Sequence, residues 1–166
     1  FEDIHTIKYN SSGAQMWITK FDGTNHNEDY PAVVRTDVAG NVYVAGFTNY
    51  QTFANFLLLK YGPGGGTTLW EKTYEGSASS SDHINAMELD AAGNIYVTGY
   101  SQETGQQLNI TTIKYDASGD TIWLRTWDDA FSQSQTAYSL VLDDSGNVYL
   151  PAGLKASSIS IDNFSF

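Results

Sequence analysis

Cysteine is absent from the 166 residues, which excludes disulfides, a thiol nucleophile and thiolate metal sites without fixing a compartment. Basic residues are scarce, 8 Lys and Arg against 19 Asp and Glu for a net charge of −11, and nowhere do they cluster. A chain of that charge repels phosphate backbones and anionic lipid, so nucleic acid and membrane-surface partners are not expected. Long apolar runs are missing too: no stretch approaches the roughly 20 residues that cross a bilayer as a helix. The chain opens on Phe1 without a signal-peptide pattern, and is expected to be a processed or truncated product. With only three histidines, a histidine metal site needs all of them to converge, and their spacing shows no His-x-x-x-His or His-Glu arrangement. Neither a metal nor a cofactor is expected.

What is plentiful is aromatic. The chain is 41% hydrophobic, skewed toward 11 Tyr, 8 Phe and 4 Trp, a mixture suited to pleated sheets. No segment has a helical period. Instead the sequence repeats itself. Asp37-Val-Ala-Gly-Asn-Val-Tyr-Val44 returns as Asp90-Ala-Ala-Gly-Asn-Ile-Tyr-Val97 and as Asp143-Asp-Ser-Gly-Asn-Val-Tyr-Leu150, each step being 53 residues. Gly40, Asn41 and Tyr43 thus correspond to Gly93, Asn94 and Tyr96, and to Gly146, Asn147 and Tyr149. Lys8-Tyr9 returns as Lys60-Tyr61 and Lys114-Tyr115, and Trp17 as Trp70 and Trp123. Between these marks stand Asn10-Ser-Ser-Gly13, Gly62-Pro-Gly-Gly-Gly66 and Asp116-Ala-Ser-Gly119, with glycine for positive φ and Asn, Asp or Ser to bond their own backbone, as hairpins require.

One period reads as four strands: a over residues 94–100, b over 109–115, c over 121–127 and d over 137–142, lettered by expected distance from a propeller axis. Strand a is apolar on both faces, as Ile95 and Val97 oppose Tyr96, so it is expected between neighbouring sheets. Strand d alternates Met87 and Leu89 with Glu88 and reads as a half-solvated outer strand. In strand c, Trp17 and Phe21, Trp70 and Tyr74, and Trp123 and Trp127 share one face and are expected to pack between blades. A period near fifty residues with four antiparallel strands predicts an all-β fold of β-propeller blades, about three in this chain. The expected division is a partial blade b-c-d over 1–37, blades over 38–90 and 91–143, and strand a plus a terminal strand over 144–166.

These marks resemble the secreted bacterial β-propeller repeats known as SBBP repeats. The resemblance rests on Thr6-Ile-Lys-Tyr-Asn-Ser-Ser-Gly-Ala-Gln-Met-Trp17, on the acidic Asp29 or Asp82 before strand d, and on Asp90-Ala-Ala-Gly-Asn-Ile-Tyr-Val-Thr-Gly-Tyr-Ser101. It implies an exported, non-enzymatic propeller at the surface of a bacterium or outside it, and no catalytic residue. The third copy departs from the pattern: Tyr149-Leu-Pro-Ala-Gly153 admits Pro151, which lacks the ladder N–H, so this copy is expected to end early, bulge or lie at an edge.

Three blades fall short of the 4 to 8 that usually close a ring, so packed faces and strand edges are left for a partner. The expected function is structural or adhesive self-assembly, strands of one copy completing blades of another in a closed ring or a filament. The tail, with Ile159, Ile161, Phe164 and Phe166 alternating among polar residues, is the expected inter-subunit strand. Alternatives are a carbohydrate- or peptide-binding module cut from a longer propeller and, less favoured, a metal-dependent lyase or lactonase propeller. The Asp-x-x-Gly-Asn turns invite a calcium reading but lack the alternating acids of a calcium loop. The recurring Lys8, Lys60 and Lys114 are expected to be structural rather than reactive.

Overall fold

The computed structural model describes residues 2–23, 26–49, 53–78, 80–105, 107–128 and 134–155. The expected inter-subunit strand, with Ile159, Ile161, Phe164 and Phe166, lies outside them. The described residues hold strands and turns and no helix. In chain order the strands are β1 (Ile4–Tyr9), β2 (Gln15–Phe21), β3 (Tyr30–Thr36), β4 (Val42–Thr48), β5 (Asn55–Tyr61), β6 (Thr68–Tyr74), β7 (His83–Leu89), β8 (Ile95–Gln102), β9 (Leu108–Tyr115), β10 (Thr121–Trp127), β11 (Ser134–Ala137), β12 (Val141–Leu142), β13 (Val148–Tyr149) and β14 (Ala152–Lys155). Two complete four-stranded antiparallel sheets run β3-β4-β5-β6 and β7-β8-β9-β10, flanked by the hairpin β1-β2 and the pairs β11-β14 and β12-β13.

The grouping of strands corrects the expected division. Strand d does not close the sheet that precedes it; β3 pairs with β4 from Tyr30 opposite Phe47 to Thr36 opposite Val42, and β7 pairs with β8 in the same manner. The sheets therefore span 30–74 and 83–127 and read d-a-b-c, not 38–90 and 91–143 reading a-b-c-d. The cause is local. Asp37 to Asn41 and Asp90 to Asn94 are tight turns, closed by Asp37 N–H to Asn41 O at 3.1 Å and Asp90 N–H to Asn94 O at 3.0 Å, and a tight turn makes the strands it joins antiparallel neighbours. Strand d stands at an edge of each sheet and is partly exposed. β3 and β7 approach each other across the gap between sheets more closely than β6 and β10 do, so the sheets converge at d and open toward c.

Stacking explains the apolar pattern. β4 and β8 are buried along almost their whole length, as expected of strands covered on both faces. Between the two complete sheets Tyr43, Ala45, Phe56 and Leu58 meet Ile84, Met87, Ile95, Val97, Ile113 and Tyr115, with Trp70 and Tyr74 closing the margin. The hairpin β1-β2 lays Ile4, Trp17 and Phe21 on the opposite face of the first sheet, against Val42, Val44, Leu57, Leu59 and Tyr61. Sheet faces about 10 Å apart interdigitate in this way. At the converging edge the Arg35 guanidinium reaches Glu88 through Nη2 at 2.8 Å and Nε at 3.3 Å, tying β3 to β7.

Gly46 and Gly99 show why the a strands cannot carry a side chain there. A Cβ would lie 2.0 Å from the Tyr30 carbonyl oxygen or 1.8 Å from that of His83, because the partner strand bulges at Pro31/Val33 and Ile84/Ala86. In the third copy Pro151 interrupts the ladder: pairing stops after Tyr149 opposite Val141 and resumes at Ala152 opposite Ala137. The expected break is present and follows from the missing N–H of proline.

Candidate functional site

The first mark, Asp-x-x-Gly-Asn-x-Tyr, is a self-contained turn. Asp90 Oδ1 accepts from the backbone N–H of Ala92 (3.0 Å) and Asn94 (2.9 Å), while Oδ2 accepts from Asn94 Nδ2 (2.7 Å) and Tyr96 Oη (3.2 Å). Asp37 serves Asn41 and Tyr43 similarly, and Asp143 serves Asn147 and Tyr149. Gly40, Gly93 and Gly146 take φ of +81°, +84° and +79°, the left-handed region where glycine is unpenalised. Burial works to raise the carboxyl pKa of Asp37 and Asp90, but the bonds from Asn and Tyr outweigh it and leave both below the ordinary value. The Asn147 side chain, with lesser help from Tyr149, lowers Asp143. These carboxylates spend their lone pairs on their own turn.

The second and third marks, Lys-Tyr and Trp, meet in a clasp between successive copies. Lys8 Nζ donates to the Pro63 carbonyl at 3.3 Å and Trp17 Nε1 to the same oxygen at 3.4 Å. Lys60 Nζ donates to the Ala117 carbonyl at 3.0 Å and lies 5.1 Å from the Tyr43 ring centroid and 5.8 Å from that of Trp70. In both cases the b-c hairpin turn of the next copy is seated on the Lys and Trp of the copy before. The fit is close: a Cβ on Gly65 would stand 2.4 Å from Trp17 Cδ2, and one on Gly119 would meet Lys72 Cε at 2.7 Å and Trp70 Cδ2 at 3.3 Å. Lys114 lies 4.7 Å from the Tyr96 ring centroid and 3.8 Å from Asp90 Oδ2, and Trp123 meets Tyr96 edge-on at 6.0 Å. No b-c turn is seated on this pair among the described residues. The lysines thus act as cations that bridge carbonyls and rings.

At the opposite ends of the strands a buried aspartate does related work. Asp29 accepts from the Gly23 N–H at 2.9 Å and from the Thr48 hydroxyl. Asp82 accepts from the N–H of Gly76 at 2.7 Å and of Gln102 at 3.2 Å, and burial pushes its carboxyl up to about 6. Gln135, also buried, takes the corresponding place in the third copy.

The histidines do not come together. His5 is exposed, with Nδ1 3.2 Å from the Asp3 carbonyl. His26 lies 3.0 Å from Asp22 Oδ1. His83 is inserted between Phe47 and Tyr100, ring centroids 4.0 and 4.9 Å away, where burial lowers its pKa. One acidic trio, Asp3, Asp22 and Asp29, brings its oxygens within 4.8 Å of one another. The Lys20 ammonium already sits 2.7 Å from Asp3 and 3.5 Å from Asp22. Clefts of about 530 and 490 Å³ open between successive Asp-x-x-Gly-Asn turns; in each, Lys114 with Tyr96 or Lys60 with Tyr43 faces the acidic turn.

Exposed apolar residues occur on several strands, and two of them on β1 stand where both complete sheets are buried. Ile7 and Tyr9 are 43% and 58% exposed, although their counterparts Leu59 and Tyr61 are at 0%, and Ile113 and Tyr115 at 1% and 4%. Met16 and Ile18 are exposed as well, but so are their counterparts Leu69 and Glu71 in the first complete sheet. At the other end of the stack Tyr149 is 54% exposed where Tyr43 and Tyr96 are at 1%, and Trp127 stands half in solvent.

Comparison with protein-family models finds no match, and comparison with curated proteins finds none.

Proposed function

We propose that this protein is a non-catalytic structural module of β-propeller type, exported by a bacterium, that self-assembles by completing blades between copies. The observation that carries the reading is the exposure of Ile7 and Tyr9 at positions buried in both complete sheets. Sequence places core residues there, and within the chain the equivalent faces are covered by a preceding sheet. An apolar surface of this kind is a docking face. Among the described residues β1 is paired on the β2 side alone, and β13 on the β12 side alone, so main-chain bonds are available to the same partner.

The test is a charge placed at the centre of the face. Ile7→Glu, at a half-exposed position whose counterparts Leu59 and Ile113 are buried, is expected to leave far-UV circular dichroism unchanged and to shift the chain from a multiple of its mass to the mass of one chain on sizing with light scattering. An assembly mass that the substitution does not alter would overturn the reading.

A further inference from the structure

Resting on that reading, we infer that the joint between copies is the intrachain repeat contact made once more across two chains. The Lys114–Trp123 clasp of one copy receives the Asn10–Gly13 turn of a second, while β13 of the first lies beside β1 of the second with Tyr149 opposite Lys8.

Four observations converge on one placement. Lys8 with Trp17, and Lys60 with Trp70, each hold the b-c turn of the following copy. Lys114 and Trp123 form the same device, and no turn is seated on it among the described residues. The turn at Asn10 to Gly13 is the complementary part: it is built by Asn10 Oδ1, which accepts from Ser12 N–H at 3.0 Å and Ala14 N–H at 2.9 Å, yet a Cβ on Gly13 would meet nothing within 4 Å. Its counterparts Gly65 and Gly119 are pressed against Trp17 and Trp70.

The sheet halves match as the clasp does. Among the described residues, β1-β2 is a b-c hairpin with no d-a beside it, and β11 to β14 is a d-a pair with no b-c beside it. In the complete sheets Tyr43 pairs with Lys60 and Tyr96 with Lys114, with the ammonium over the ring, so the corresponding pair across the joint is Tyr149 and Lys8. Seating b-c beside d-a turns Ile7 and Tyr9 toward Lys114, Trp123 and Trp127, as Leu59 and Tyr61 are turned toward Trp17 and Phe21. It therefore covers both exposed patches in one step. The contact is heterologous, and two such joints close a ring of six sheets, within the range in which propellers close.

The occupant is a second copy because the two surfaces are complementary to each other and occur on the same chain. Its test exploits the absence of cysteine. Leu59 lies opposite Val44, and Ile113 opposite Val97, so Ile7 of one chain should lie opposite Leu150 of the other, within the Cα separation a disulfide spans. An Ile7→Cys chain is mixed with a Leu150→Cys chain and oxidised, so that only a joint between chains can yield the heterodimer. A Val38→Cys chain replaces the second as control, and light scattering under reducing conditions checks that each variant assembles as the wild type does.

Disulfide-linked heterodimer from the first mixture, absent from the control, is the expected result. Assembly without that crosslink would overturn this joint while leaving the self-assembly reading standing. Chains that remain single at every concentration would overturn both. Trp123→Ala gives a second readout: assembly is expected to fail while the far-UV spectrum is retained, and undiminished assembly would contradict the clasp.

Discussion

One position, occupied three times, allows the stacking argument to be tested quantitatively. Leu59, Ile113 and Ile7 occupy the same place in three b strands, but their exposures are 0%, 1% and 43%. Truncating a fully buried Leu or Ile to Ala costs about 2–5 kcal/mol, because the transfer free energy is lost and a cavity remains. Leu59→Ala and Ile113→Ala are expected in that range, since each faces a neighbouring sheet that cannot collapse onto the gap. Ile7 in an isolated chain has about half of its apolar surface in water and opens no closed cavity, so Ile7→Ala should cost about 1 kcal/mol or less. In an assembly the same side chain is covered as Leu59 is, and the cost should rise toward that of Leu59→Ala. The assay is urea unfolding followed by far-UV circular dichroism for wild type and the three variants, at the lowest workable chain concentration and at about a hundredfold above it, since a midpoint that depends on concentration reports association. An Ile7→Ala penalty equal to that of Leu59→Ala at the lowest concentration, or one unchanged between the two, would refute the reasoning.

Two further outcomes follow from the polar groups. Asp90→Ala removes the acceptor for two backbone N–H groups, the Asn94 amide and the Tyr96 hydroxyl, and is expected to cost about 1–3 kcal/mol of urea-measured stability. Asp143→Ala should cost less, because Asn147 and Tyr149 are exposed and water replaces the lost partner; equal penalties would contradict this. Asp82, raised by burial to about 6, binds its proton more tightly folded than unfolded, so its contribution is fullest below the ordinary aspartate range and is lost as pH rises through about 6, by up to about 3 kcal/mol. Asp37 and Asp90, held below the ordinary value, act oppositely: their stabilisation is present above that value and fades as pH falls through the lowered pKa. Asp82→Asn, which keeps one acceptor oxygen, should flatten the urea midpoint between pH 4 and 7. A variant whose midpoint still falls as steeply as that of wild type would show that another group carries the dependence.

Strand positions and the faces they bury were legible in the sequence, because a period of two in the side chains and a turn every few residues are local signals. The grouping of strands into sheets differs from the expected division for a local reason. The Asp-x-x-Gly-Asn turns carry hairpin chemistry, which pairs d with the a that follows, so the sheets divide between c and d rather than at those turns. The break at Pro151 is legible, since a missing N–H acts where it stands. The clasp was not legible. That Lys8 and Trp17 share the Pro63 carbonyl depends on how far one sheet is offset from the next, and nothing local to Lys-Tyr encodes it. The recurrence of Lys, Trp and a glycine-bearing turn in fixed order was the one available trace. Asp29 and Asp82 carried a similar trace, as acids recurring before strand d, but their burial followed only from the loops that fold over them.

The proposed joint covers the apolar face of β1 with another copy. Mass by light scattering on a sizing column, over a dilution series of the wild-type chain, tests this most directly. A mass of two chains, or a larger polymer, that dissociates on dilution is the predicted result. A well-folded single chain at every concentration would contradict the claim.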